Sequence, residues 1–280
     1  MNDMERMQSM PAQVREELYD PFTVSRAQVE AFRRDGFIKI PGVLSAAVIA
    51  HMDAVISAEV DRLNTQHLAM SERDTYGKAF LQIMNIWRNS EAVREIVFSR
   101  RLASIATALL EVSGVRIYHD QALYKEPGGG HTPWHADQYY WPLSSDRTVT
   151  AWIPLQETPL ELGPLEFSAG SAGLTQGRDK EISDESQSFL DSVLRGSSFP
   201  HIVEPFLLGE VSFHTGWTYH RAGPNTTDRM RKVMTMIYMD KDMRLTEPVN
   251  PHQQADREAW CKGAVVGDVI DTPTNPVIAH

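Results

Sequence analysis

The stretch HTPWHADQYYW, residues 131–141, sets two histidines, an aspartate and four large aromatics within eleven positions. Pro133 and Pro142 bound the segment between them, which is too short for a stable helix, so it reads as extended chain. On a strand, residues i and i+2 point to one face. Pro133, His135, Asp137, Tyr139 and Trp141 then share a face, and Trp134 and Tyr140 take the other. His135-x-Asp137 becomes a compact chelating pair. The same triplet recurs as His51-Met52-Asp53, but inside a helical pattern. There, i and i+2 point about 200° apart at 3.6 residues per turn, and the pair reads as solvated helix surface. An isolated His-x-Asp is more often a hydrogen-bonded core histidine than a metal site; a third ligand reverses that.

The third candidate is His220 in GEVSFHTGWTYHRAGPN (209–225), at a strand end before the Gly223-Pro224-Asn225 turn. His214 is a rival that reads as a turn residue before Thr215-Gly216. His131 competes less well, because Pro133 interrupts any element that would align it with His135. Two histidines and one carboxylate suit non-haem Fe(II) oxygenase chemistry, and the same set can hold zinc for hydrolysis. An O2-independent hydrolase or isomerase on a cupin-like barrel therefore stays open, as does a non-catalytic metal-binding sensor or scaffold. Arg231 in DRMRKVMTMIYM (228–239) adds a second signal. Alternation places it with Val233, Thr235 and Ile237 on an apolar face, where a guanidinium is costly without an anion. An ion pair with one of the chain's 37 acids is the plainer alternative.

Around these motifs the texture changes at Gly114. Before it, TVSRAQVEAFRRDGF (23–37) reads as a helix capped by Thr23 or Ser25 and ended by Gly36, and FIKIPGVLS (37–45) as a strand and turn. Helices follow over 46–63, 91–98 and 102–112. After it come short β-branched and aromatic runs: VRIYHDQALYK, TVTAWIPLQ, GPLEFSAG, GEVSFHTG, WTYHRAG and RKVMTMIYM. The pattern predicts a mainly β fold with flanking α-helices, a double-stranded β-helix (jelly-roll, cupin-like) barrel. We expect a flexible arm over 1–22 and one domain over 23–280. That domain divides into a helical part (23–113), a jelly-roll core (114–245) with an acidic insertion and candidate lid (175–205), and a C-terminal extension (246–280). The methionines near the last strand, Met234, Met236 and Met239, read as core filler.

A formal net charge of −10 argues against nucleic-acid or anionic-membrane partners, which need a basic footprint. The single cysteine, Cys261, excludes an intrachain disulfide or a thiolate cluster. No run approaches the roughly 20 apolar residues of a membrane helix, and no signal peptide stands out. The expectation is a cytoplasmic protein that acts on a small molecule, of unspecified oligomeric state.

The ordered set QVEAFRRDGFIKIPGVLS, ALYKEPGGGHTPWHAD, TVTAWIPL, GPLEFSAGS, GEVSFHTGWTYHRAGPN and RMRKV lies within residues 24 to about 240. In that order the blocks resemble the phytanoyl-CoA dioxygenase family of Fe(II)/2-oxoglutarate-dependent oxygenases. The resemblance implies that His135, Asp137 and His220 ligate iron and that Arg231 holds the distal carboxylate of 2-oxoglutarate. It also places Gln121 and Trp152 beside the cosubstrate. Iron(II), 2-oxoglutarate and O2 are the implied cofactors, with ascorbate as a candidate reductant. The implied reaction oxidises an unactivated C–H bond, with release of succinate and CO2. Hydroxylation is favoured over halogenation, because Asp137 fills the position that related halogenases leave to chloride. Trp87, Tyr139 and Trp141 are the candidates for the substrate side. Two departures stand out: Arg221-Ala222, where small hydroxyl residues are common near the cosubstrate, and Gly170-Ser171-Ala172, where the family has a GSH-type end.

Overall fold

A computed structural model of the chain describes residues 10–278. Its helices begin where the sequence supplies caps. Helix α1 is Ala12–Tyr19 and α2 is Arg26–Asp35. Ser25 and Gln28 form a capping box on α2, and Gly36, at φ +78°, ends it in the left-handed conformation that glycine takes without strain. Ser45 caps α3 (Ala46–Leu63), Asp74 caps the short α4 (Thr75–Ala79), and serines cap α5 (Glu91–Val97) and α6 (Arg100–Leu110). Helix α7 (Asp184–Gly196) lies in the insertion and α8 (Pro251–Trp260) in the C-terminal extension.

The ten strands are β1 (Phe37–Ile40), β2 (Leu81–Met84), β3 (Val115–Tyr124), β4 (Thr132–His135), β5 (Thr148–Pro154), β6 (Leu165–Ser168), β7 (His201–Val203), β8 (Val211–Thr215), β9 (His220–Ala222) and β10 (Val233–Asp240). They form two antiparallel sheets, β1-β8-β5-β10-β3-β2 and β4-β9-β6-β7. This is the jelly-roll core with flanking helices that the sequence predicts. Alternation along the larger sheet divides its residues. Ile117, Ala151, Ile153, Phe213, Met234, Met236 and Tyr238 bury against α3, α5 and α6 in one hydrophobic core. Gln121, Thr150, Trp152, His214 and Thr235 face the other way, toward the smaller sheet, and line a cavity between the two. No helix among the described residues is long and apolar enough to cross a membrane.

Three expectations are corrected. Residues 10–22 are not a loose arm: Met10, Val14 and Leu18 recur at i, i+4 and i+8, and this apolar stripe packs α1 against α3 and α6. The Ser99 hydroxyl also donates to the Leu18 carbonyl. Residues 1–9 of the expected arm lie outside the described residues. The strand expected across 133–141 stops at His135, and Asp137–Tyr140 forms a 3-10 turn. The insertion is only partly surface: β7 pairs with β6, and Leu190 and Leu194 of α7 bury against Trp134 and Tyr219.

Leu18→Ala should lower the unfolding free energy by about 2–5 kcal/mol, the range for a fully buried leucine truncated in a core. Denaturant titration measures this; an unchanged midpoint would restore α1 to the status of an arm.

Candidate metal centre and cosubstrate cavity

The metal candidates meet because two strands pair. In the β4–β9 ladder, His135 is the direct partner of His220, and Thr132 of Ala222. Two residues separate Thr132 from His135 but only one separates Ala222 from His220, so β4 bulges. The bulge turns both Thr132 and His135 toward the cavity. The two imidazoles lie 4.1 Å apart between ring centroids.

Each ring is locked by its own strand. His135 Nδ1 donates to the Pro133 carbonyl at 2.8 Å, and His220 Nδ1 to the Thr218 carbonyl at 2.9 Å. That fixes the tautomer and leaves each Nε2 lone pair free. Both Nε2 atoms lie 3.6 Å from Asp137 Oδ1. The three donors sit within 4.8 Å of one another, the converging His/Cys/Asp/Glu set found among the described residues. Burial, helped by His220 beside His135 and by His214 beside His220, lowers both imidazole pKa values to about 4, so the rings are neutral at physiological pH. Burial acts to raise Asp137, but His220, His214 and His135 outweigh it and hold the carboxyl well below the usual carboxylate range. Neutral imidazoles and an ionised carboxylate are the protonation states that a divalent metal needs.

Asp137 is aimed by its neighbours. Its Oδ2 accepts from the Thr150 hydroxyl at 3.2 Å and from His214 Nε2 at 3.3 Å, which turns Oδ1 toward the histidines. His214 is thus a buried residue inside β8, not the turn residue that its Thr-Gly neighbours suggest, and it supports the carboxylate. The 3-10 turn is anchored by the Gln138 N–H on the Gly216 carbonyl at 2.9 Å. A Cβ at Gly216 would lie 2.4 Å from Gln138 Oε1, so glycine lets the turn approach β8.

Arg231 stands on the same cavity, only 2% exposed. One guanidinium nitrogen donates to the Gly163 carbonyl at 2.6 Å, and the group lies 5.6 Å from the Trp152 ring centroid. Its Nε has no partner, and no carboxylate pairs with it among the described residues. The alternative of an internal ion pair is therefore not what the structure contains. Burial lowers its pKa to about 9, which leaves it a cation at neutral pH. A buried guanidinium with an idle N–H is a receptor for an anion.

The cavity, about 480 Å³, gathers some of the other sequence candidates and rejects two. Gln121, Trp152 and Thr235 form one cross-strand row, and Gln121 accepts from Gln82 Nε2 at 2.5 Å. Trp141 lines the cavity, and so does Tyr140, whereas Tyr139 does not. The 3-10 turn, which rotates successive residues by about 120°, exchanges the two tyrosines relative to a strand. Tyr139 instead packs against Tyr140 and His252. Trp87 is also absent from the wall. Its N–H bonds buried Asp120, its indole N–H bonds Asn85 Oδ1, and its ring packs on Phe98. Arg221 points away, onto Glu166 Oε2 at 2.7 Å and over the Trp134 ring, so the cavity position at this point of β9 is Ala222. Sequence reasoning missed His119, His252 and Asp256, all on the wall. His119 precedes Gln121 by two on the same strand, and that spacing could have found it.

Residues 32–233 match the family model described as phytanoyl-CoA dioxygenase (PhyH). The chain is 24% identical over 244 residues to the ectoine dioxygenase of Stutzerimonas stutzeri (strain A1501), covering 79% of this chain and 78% of that one. Among solved structures it resembles the non-haem alpha ketoglutarate-dependent carbocyclase SnoK from nogalamycin biosynthesis. That likeness has a TM-score of 0.74 and 24% identity, over 93% of this chain and all of the other. The epimerase SnoN, in complex with Fe3+, alpha ketoglutarate and nogalamycin RO, aligns with a TM-score of 0.74 at 24% identity, over 90% and 97% of the two chains. At this level the structural likenesses speak for the fold, and the family match extends over most of the sequence. The chain belongs to the phytanoyl-CoA dioxygenase family and is an iron- and 2-oxoglutarate-dependent dioxygenase.

Proposed function

We propose that this dioxygenase oxidises an unactivated C–H bond of a small molecule in the cavity between its sheets, with His135, Asp137 and His220 as the iron ligands. The observation that carries the assignment is that the three converging donors and an anion-seeking arginine line one cavity. The residues fit the cofactors on chemical grounds. Two neutral imidazoles and a carboxylate form the set that suits non-haem iron(II) and leaves positions open. The unpartnered, buried guanidinium suits the distal carboxylate of 2-oxoglutarate. A hydrolytic barrel has no comparable need for Arg231.

Bound together, iron(II) and 2-oxoglutarate supply the oxidising power, with succinate and CO2 as by-products. The chain's own part is binding and orientation. Arg231 meets the distal carboxylate while the Gly163 carbonyl holds the guanidinium in place. Trp152 and Gln121 form the wall along which the cosubstrate would lie, next to Thr235. Thr150 and His214 hold Asp137 so that one oxygen is presented to the metal. Asp137 also occupies the ligand position that halogenation would require to be vacant, which favours oxygen insertion or a related oxidation. Trp141 and Tyr140 close the side where substrate would approach.

Anaerobic addition of Fe(II) and 2-oxoglutarate should produce a weak visible charge-transfer band; a folded sample without it would refute the assignment. Arg231→Ala should weaken 2-oxoglutarate binding by about 30-fold or more, roughly the 2 kcal/mol or greater cost of breaking a buried charged pair, while Fe(II) affinity stays the same. Equal losses of both would mean that Arg231 acts on the metal site instead. Thr150→Val should lower Fe(II) affinity by about tenfold, the scale of losing a hydrogen bond to a ligating carboxylate. Competition with a chromophoric chelator measures it, and unchanged affinity would remove Thr150 from the site.

A further inference from the structure

Once the proposed cofactors are assigned, the remaining cavity wall has its own chemistry. It is formed by His119 on β3, the 3-10 turn with Tyr140, Trp141 beyond it, and helix α8. Arg231 is the one lysine or arginine lining the cavity among the described residues, and it is committed to 2-oxoglutarate. Four carboxylates line the same cavity: Asp74, Asp137, Glu181 and Asp256. Three have an internal task. Asp74 caps α4 through the Gly77 N–H, Asp137 belongs to the metal set, and Glu181 pairs with His252 at 2.5 Å.

Asp256 is different. Its Oδ2 accepts the Tyr118 hydroxyl at 2.9 Å, and the carboxyl is also hydrogen-bonded by Trp260 of its own helix, but among the described residues it makes no ion pair. Burial raises its pKa to about 7, outweighing the Tyr118 and Trp260 hydrogen bonds and the neighbouring His252, which act to lower it. A second, independent observation lies on the same cavity wall. His119 is 4% exposed, lines the cavity, and its Nδ1 is buried without any hydrogen-bonding partner. The His119 ring lies 5.6 Å from the Trp260 ring of α8, and Trp141 packs edge-on to Tyr118 at 5.6 Å. A buried carboxyl without an ion pair, an imidazole with one unpartnered nitrogen and several aromatic rings on one cavity suit an ammonium group. An anionic substrate would meet Asp256 with, among the described residues, no lysine or arginine besides Arg231 on the wall to offset it.

We infer that the substrate carries a basic nitrogen, which Asp256 and His119 bind while Tyr140 and Trp141 enclose it. The inference rests on the oxygenase assignment and narrows it to a substrate class. Asp256 is a specificity residue on this view, remote in sequence from the metal ligands and supplied by the C-terminal helix.

The test uses the full chain loaded anaerobically with Fe(II) and 2-oxoglutarate, and three matched probes: 2-phenylethylamine, 2-phenylethanol and phenylacetate. Broadening of probe proton resonances by the paramagnetic iron reports binding near the metal. The amine should bind about tenfold or more tightly than the alcohol or the acid, the scale of one charge-assisted hydrogen bond. Asp256→Asn should bring the amine to within about threefold of the alcohol while the charge-transfer band stays unchanged. Tyr118→Phe, which keeps the carboxylate, should retain the preference. If Asp256→Asn does not fold, the ranking of the three probes by the native protein decides. Equal binding of the probes, a preference for the acid, or no broadening of the amine overturns the inference. Loss of preference in Tyr118→Phe but not in Asp256→Asn also overturns it, since Asp256 would then serve only to latch α8 to β3. Absence of the charge-transfer band in the native protein would instead strike the oxygenase assignment itself.

Discussion

The geometry of the site depends on one cross-strand pair. His135 and His220 are 85 positions apart in the chain, yet they are direct partners in the β4–β9 ladder. Adjacent antiparallel strands hold facing side chains about 5 Å apart, which is the separation that two ligands of one ion require. The bulge in β4 matters because a regular register could not turn both Thr132 and His135 inward. Backbone hydrogen bonds to Pro133 and Thr218 then fix the rings. The ligand set is thereby preorganised by sheet pairing and strand-local bonds, and the metal need not order it on arrival.

The opposite end of the cavity carries a deliberate imbalance. A buried guanidinium without an anion costs free energy, and the fold keeps Arg231 in place with little more than the Gly163 carbonyl and the face of Trp152. Gly163 can serve because it adopts φ +68° and packs so close to Gly223 that a Cβ would lie 2.3 Å from that carbonyl. Any other residue would displace the acceptor that steadies Arg231. The loop before β6 and the turn after β9 are therefore coupled to the placement of Arg231, although neither contributes to the converging His135, Asp137 and His220 set.

Much of this was legible in the sequence because the relevant periods are short. Alternation into β10 put Arg231, Thr235 and Ile237 on one face, and the His-x-Asp triplet with a strand-end histidine named the three side chains that converge. Residues whose direction depends on tertiary packing were less legible. Tyr139 and Tyr140 exchange roles because the chain leaves extended geometry at Asp137, where the Gln138 N–H finds the Gly216 carbonyl. Trp87 looks like a pocket aromatic until buried Asp120 binds the backbone N–H groups of Ile86 and Trp87 and fixes the turn away from the cavity. The helix α1 stripe was hidden by the charged residues around it. Asp256 lay in a segment with no local motif, and only the docking of α8 onto β3 brings it to the wall.

The distribution of unsatisfied polar atoms ties these features together. In native proteins buried polar groups are nearly always paired, so each exception needs a cause. Among the described residues, the buried side-chain atoms without partners include Arg231 Nε, His119 Nδ1, His214 Nδ1 and Thr132 Oγ1, and all four residues line the one cavity. Arg231 and His119 differ in kind, one a buried cation without a carboxylate partner and the other an imidazole that shares the wall with Asp256. A core selected for stability alone would have replaced both with apolar side chains of similar volume. Their persistence is accounted for if two ligands of opposite charge enter this space.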